Sequence, residues 1–298
     1  MSFWEFLRKV YSPRSAPKQV EAEDDEFVSL DVADGPRDVD RGLESSCRMV
    51  KVDKPSRIER AGELLDVGIA YANAGRYDDA IHNYTQALEL DEDNALAYYN
   101  RGWAYGKKAD YEEAIRDYTE ATRIQPNLAA AFMNRGWAHG KKGDFEQAIA
   151  DYSVAIRIDR RLVKAYVNRG WAYVSTREFE KAIANFNEAI RQVPEYGPAH
   201  SKRGWAYLEQ GQLQMALPNF DQALELDPKD ALAHAGRGWV HFEKNRFEEA
   251  LANLTQAIKL DPTNPDFYRR RGKAFRAMGS NAEAEEDEVR AVSLPQKG

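Results

Sequence analysis

This sequence predicts an all-α fold built of repeated helix–turn–helix hairpins, and two regularities carry that prediction. The triplet RGW at Arg101 recurs at Arg135, Arg169, Arg203 and Arg237, always 34 residues further on. The glycines Gly68, Gly102, Gly136, Gly170, Gly204, Gly238 and Gly272 keep the same 34-residue step without an insertion or deletion. A fixed period of that size marks supersecondary units that stack on one another. The units fall at 61–94, 95–128, 129–162, 163–196, 197–230, 231–264 and 265–298.

Each element within a unit follows from small residues and breakers. Twelve places after each glycine stands Ala80, Ala114, Ala148, Ala182, Ala216, Ala250 or Ala284. Seven places later comes Ala87, Ala121, Ala155, Ala189, Ala223, Ala257 or Ala291. Small residues at fixed places mark close helix crossings. Between the glycine and the first alanine lies Gly75, Ala109, Gly143, Arg177, Gly211, Asn245 or Gly279, mostly residues that tolerate the left-handed conformation ending a helix. A tight turn is expected there. Pro126, Pro194, Pro228 and Pro262 then stop the second helix, and nearby Asp or Asn residues are placed to cap the next one.

With aromatic residues at Tyr71, Tyr105, Tyr173, Tyr207 and Phe275 in the first helices, and at Tyr84, Tyr118, Tyr152, Phe186 and Phe220 in the second, the pattern resembles the tetratricopeptide repeat (TPR). The resemblance covers seven in-register units. It implies a right-handed α-solenoid with a concave groove lined by first helices. The last unit departs from the pattern, since Glu285 and Glu288 stand where other units hold Ile and an aromatic; it reads as a polar cap. The first unit has Ile69 in place of Trp and no Arg before its glycine.

Residues 1–60 carry no repeat and are expected to form a largely disordered, charged tail. Their charge is blocky: about +3 over residues 1–20, about −8 over Glu21 to Glu44 and about +3 over Ser45 to Arg60. Phe3, Phe6, Leu7 and Val10 have helical spacing, with Trp4 and Tyr11 alongside, so an amphipathic turn at the extreme N-terminus is one reading and a frayed tail the other.

Composition excludes several classes of function. A net charge of −7 argues against a nucleic-acid protein that neutralises phosphates. The single cysteine, Cys47, allows no disulfide framework and fits a reducing, cytoplasmic setting. No apolar run is long enough for a bilayer span, and the N-terminus has the wrong charge order for a secretory signal. His82, His139, His200, His234 and His241 lack the paired carboxylates or cysteines of a metal site or triad. Neither enzymatic activity nor a cofactor or metal is expected.

The candidate binding residues lie on the first helices. The arginines of RGW read as structural, with acids such as Asp117 and Asp151 as their partners. Trp103, Trp137, Trp171, Trp205 and Trp239 follow the glycine by one residue, a step of about 100° away from the packing face. In the family this place lines the groove, commonly with a polar residue. Around it the same face would hold Tyr99, Met133, Val167, Ser201 and Ala235, and then Gly106, Gly140, Val174, Leu208 and Phe242. Such an apolar strip points to a partner, although inter-repeat packing alone would also use Trp. Ribs spaced at roughly 8–10 Å suit a polyproline II ligand, which advances about 3.1 Å per residue.

A second row, Asn100, Asn134 and Asn168, stands three residues before each Trp and offers amides to a peptide backbone. It resembles the asparagine ladder of O-linked N-acetylglucosamine transferases, but gives way to Lys202, Gly236 and Arg270. The two-carboxylate clamp of chaperone-binding TPR domains is matched only at Asn134 and Lys164. The last unit adds Arg269, Arg270, Lys273 and Arg276, a basic end for an acidic or phosphorylated ligand, unless the acids of Glu283 to Glu288 neutralise it. The expected function is a non-enzymatic scaffold that binds an extended protein segment, proline-rich or acidic, in an aromatic groove. The alternative is an assembly module in which another copy or the chain's own Phe3, Trp4, Phe6 and Leu7 fill the groove.

Overall fold

The computed structural model describes residues 56–294, which divide into two compact units covering 56–159 and 160–294. The first holds α1 (Arg57–Asn73), α2 (Tyr77–Leu90), α3 (Ala95–Lys107), α4 (Tyr111–Ile124), α5 (Ala129–Lys142) and α6 (Phe145–Ile158). The second holds α7 (Val163–Ser175), α8 (Phe179–Gln192), α9 (Gly197–Glu209), α10 (Leu213–Leu226), α11 (Ala231–Glu243), α12 (Phe247–Leu260), α13 (Pro265–Ala277) and α14 (Asn281–Ser293). Among the described residues no segment is a strand. The fold class is the expected α-solenoid type, in consecutive helical hairpins.

Every expected breaker is a left-handed residue. Gly75, Gly143, Gly211 and Gly279 have φ between 73° and 85°, and Ala109, Arg177 and Asn245 hold φ of 63°, 63° and 57°. The turns are therefore set by register, since even Ala and Arg are forced into a conformation that costs a side-chain residue about 1–2 kcal/mol. Caps also follow the sequence. Ser56 and Glu59 form a capping box on α1, and Asn94, Asp230 and Asn264 accept from backbone N–H groups at the starts of α3, α11 and α13. Each capping group satisfies a donor that the first helical turn cannot.

Within a unit each first helix packs on its own second helix, and each second helix packs on the next first helix. The small residues make this possible. A Cβ on Gly170 would lie 2.7 Å from the Phe186 ring, so the α7 backbone rests directly on that aromatic face. Tyr84, Tyr118, Phe186, Phe220 and Leu254, at one repeated place of the second helices, are among the largest fully buried side chains. In the last hairpin that place holds Glu288, which is exposed beside exposed Glu285, Val289 and Val292.

Candidate functional site: the first-helix faces

The arginines of RGW bond to the second helix of their own hairpin, and Arg101, Arg135, Arg203 and Arg237 reach the preceding hairpin as well. Arg101 donates from Nε and Nη2 to both carboxylate oxygens of Asp117, at 2.8 Å each, and from Nη1 to Thr85 of the preceding repeat at 3.1 Å. Arg135 repeats this with Asp151, Thr119 and Thr122, as does Arg271 with Asp287 and Thr255. Arg203 and Arg237 instead donate to Asn219 and Asn253 of their own hairpins, and to Asn187 and Asp221 of the preceding repeats. Arg169 donates to Asn185. With a neutral partner, burial holds the Arg169 and Arg203 guanidinium groups below their ordinary pKa. The planar fork suits both acceptors. Accordingly, Asp117→Asn should cost within about 1 kcal/mol, whereas Asp117→Ala, which leaves a largely buried guanidinium with only Thr85, should cost about 2–3 kcal/mol in urea unfolding.

The tryptophans do not share one environment. Trp103 meets the edge of Tyr77 at 5.9 Å between ring centroids, and Trp137 that of Tyr111 at 5.5 Å. Both tyrosines start the preceding repeat's second helix. One turn further along its own helix, Lys107 lies 5.2 Å over Trp103, and Lys141 lies 5.4 Å over Trp137. These indoles are half-buried, leaving part of each ring uncovered.

In the unit 160–294 the cations come from other repeats. Lys202 sits 5.2 Å over half-buried Trp171. The Arg270 guanidinium lies 4.9 Å from the Trp205 ring centre and 4.8 Å from that of Trp239, while Lys273 lies 5.3 Å from Trp239. Trp239 also stacks on Phe242 at 4.5 Å. Trp205 is only 4% exposed, its edge or face against Phe220 at 5.7 Å, and its buried indole Nε1 has no hydrogen-bond partner. It therefore belongs to the core, in contrast to the expectation that all five indoles line a surface.

Two further expectations need correcting. The row four residues before the tryptophans, Tyr99, Met133, Val167, Ser201 and Ala235, is buried throughout. Neighbouring first helices touch within each unit (α1 with α3, α3 with α5, α7 with α9, α9 with α11, α11 with α13), and this row helps fill such contacts. Asn134 is fully buried as well, its Nδ2 donating to the Tyr99 hydroxyl at 3.1 Å. Tyr99 and Asn134 thus present no surface to a ligand. Asn100, Asn168 and Lys164 remain half-buried. Asn100 Nδ2 is buried and unpartnered.

The basic end is also divided. Arg276 pairs with Glu288 of α14 at 2.8 Å, and Arg269 pairs with Asp266 in its own first turn. Arg270 and Lys273 are the two that reach the indoles. Beside them is Glu243, whose carboxyl is raised by burial against the opposing pull of Arg270 and Lys273. Partial desolvation and then Arg270 lower the Lys273 ammonium, although its stem is exposed. Phe3, Trp4, Phe6, Leu7 and the acidic stretch 21–26 lie outside the described residues.

The seated cations were partly legible. Lys107 and Lys141 follow their tryptophans by four residues, the spacing that stacks side chains on a helix. Lys202 and Arg270 replace Asn in its row, but which ring each would meet depends on helices from other repeats. The resulting surface can hold apolar groups on indole faces and anionic groups on the cations. Among the described residues no cluster of His, Cys, Asp or Glu could hold a metal ion, and no helix is long and apolar enough to cross a membrane.

Comparison with known proteins gives one family. A tetratricopeptide repeat family model matches residues 133–197, 167–231, 201–265 and 236–296, and two further TPR models match 68–108 and 95–128. No curated protein matches the sequence significantly. Among solved structures, a tetratricopeptide repeat protein from Parabacteroides merdae overlays with a TM-score of 0.70 at 19% identity, over 79% of this chain and 93% of that one. MamA overlays at 0.53 with 26% identity, over 58% and 94% of the two chains. The Cut9–Hcn1 hetero-tetramer of the APC/C gives 0.63 at 18% identity, over 72% of this chain and 43% of that one. The first and third likenesses are ones of fold.

Proposed function

Since the chain belongs to the tetratricopeptide repeat family, whose arrays serve as protein-interaction scaffolds, we propose that its first-helix faces bind an extended segment of a partner protein. The observation that carries this reading is the half-buried indole with a cation over it, at Trp103 with Lys107 and at Trp137 with Lys141. A core residue would be fully covered, and a surface chosen only for solubility would not hold Trp. An indole with one face on the protein and part of the ring outside offers apolar area at small entropic cost. Asn100, half-buried, lies about one turn away on the same helix as Trp103.

The test is selection from a displayed library of extended peptides. The wild type should enrich binders, and Trp103→Ala with Trp137→Ala should weaken those selected against 56–159 by tenfold or more while helical circular dichroism stays nearly unchanged. Such a loss corresponds to about 1.4 kcal/mol or more of binding free energy. Equal binding by wild type and variant would refute the reading.

A further inference from the structure

We propose that the outward face of α1 is a docking surface for the chain's own segment Cys47 to Lys54, which lies outside the described residues and would close the first end of the array. In later repeats the corresponding face of the first helix is covered. Ala97 and Ala104 of α3 share a core with Ala80, Tyr84 and Leu88 of the preceding second helix. The place of Ala97 is filled by Ala131, Ala199, Ala233 and Phe267, none more than 2% exposed. On α1 the same two places hold Glu63 and Ala70, both exposed. Apolar groups nevertheless remain on this side: Val67 is 45% exposed and Ile58 71%, with Leu64 half-buried beside them. Val67 stands where later repeats hold the arginine that, at Arg101, reaches back to Thr85. The first helix has thus exchanged a polar reach for an apolar contact, which suits a cover other than a further repeat.

Charge and reach select the occupant. Glu63 and Asp66 are exposed on consecutive turns of this face, and exposed Arg60 precedes them by one turn. Arg57 is turned aside, its Nη2 donating to the Glu89 carbonyl at 2.6 Å. A second copy stacking its last helix here would set exposed Glu285 and Glu288 against these carboxylates, and the stretch Glu21 to Glu44, at about −8, would do the same. The segment Cys47 to Lys54, CRMVKVDK, instead carries Arg48, Lys51 and Lys54 against Asp53 alone, with Met49, Val50 and Val52 between them. Only Pro55 separates it from the cap Ser56. Eight extended residues span about 26 Å, and α1 rises about 21 Å from Ser56 to Ala70, so the segment can lie back along the whole face. Exposed ion pairs hold weakly by themselves. A tether this short, however, keeps the segment at an effective concentration on the order of millimolar, an advantage that the basic residues 1–20 lack.

Cys47 is the chain's one cysteine, so a single introduced thiol reports the contact. In the full chain with oxidised glutathione, Ala70→Cys should form an intrachain disulfide with Cys47 at least tenfold faster than His82→Cys, an exposed position on α2 that a freely moving segment would meet about as often. Glu63→Lys with Asp66→Lys should bring the Ala70→Cys rate down to the His82→Cys rate, and adding Arg48→Glu with Lys51→Glu should restore it. Helical circular dichroism of the reduced variants should match wild type. Equal rates at the two positions, or a rate at Ala70→Cys that ignores the charge reversal, overturns the proposal. A disulfide between two chains in place of the intrachain one overturns it in favour of a second copy. The peptide-binding reading stands apart from these outcomes, since it is judged at Trp103 and Trp137.

Discussion

Replacement of Trp205 by Ala should destabilise the hairpins around it by about 3–5 kcal/mol, the largest effect expected of any tryptophan in this chain. Its side chain is 4% exposed and packs on Phe220 within a core that includes Leu208, Leu224, Val240 and Leu254. Removing it opens a cavity whose walls are helices from successive repeats, which cannot close without shifting the stack. Trp103→Ala, by contrast, should cost about 1–2 kcal/mol, since part of that ring already meets water. Trp205→Phe should lie between, because it keeps most of the apolar contact and removes a buried N–H that has no acceptor. Repeat arrays unfold in parts, so the measurement is urea unfolding together with amide exchange in α9 to α12. Equal losses for Trp103→Ala and Trp205→Ala would mean that the depth of burial does not separate the two sites.

Gly236→Ala should destabilise by about 2 kcal/mol, although Ala is the better helix former by about 1 kcal/mol. The added methyl would sit 2.3–2.4 Å from ring atoms of Phe220, which is fully buried and already holds the edge contact with Trp205. The ring is fully buried, so overpacking, at about 1–3 kcal/mol, should outweigh propensity. Gly62→Ala provides the opposite sign. Its Cβ meets nothing within 4 Å in the middle of α1, and the substitution should stabilise by about 0.5–1 kcal/mol. Should both glycine substitutions move the unfolding midpoint in the same direction, the close approach of α11 to Phe220 would be the assumption at fault.

The arginine row shows how far a repeat makes contacts legible. Arg101 and Asp117 are 16 residues apart in sequence, and the same step separates Arg135 from Asp151 and Arg271 from Asp287. Once the hairpin is known, one geometry follows for all. The tryptophan row looks just as regular and behaves otherwise. Trp103 and Trp137 are covered by a lysine of their own helix, whereas Trp205 is covered by Arg270 from two repeats away. Likewise Asn134 occupies the same repeat position as Asn100 and Asn168 but is drawn inside by the Tyr99 hydroxyl.

What the sequence by itself determined is everything that repeats within one hairpin: fourteen helices over the described residues, the left-handed turns at Gly75 through Gly279, the prolines after second helices and the glycine crossings. These depend on backbone conformation and on side chains a fixed number of residues apart. What only the tertiary structure decided is which face residues are surface and which are core, and which cation meets which indole. Burial is a property of all the neighbours a side chain has, and at these positions the neighbours come from other repeats, where Gly236, Lys202 and Arg270 break the period.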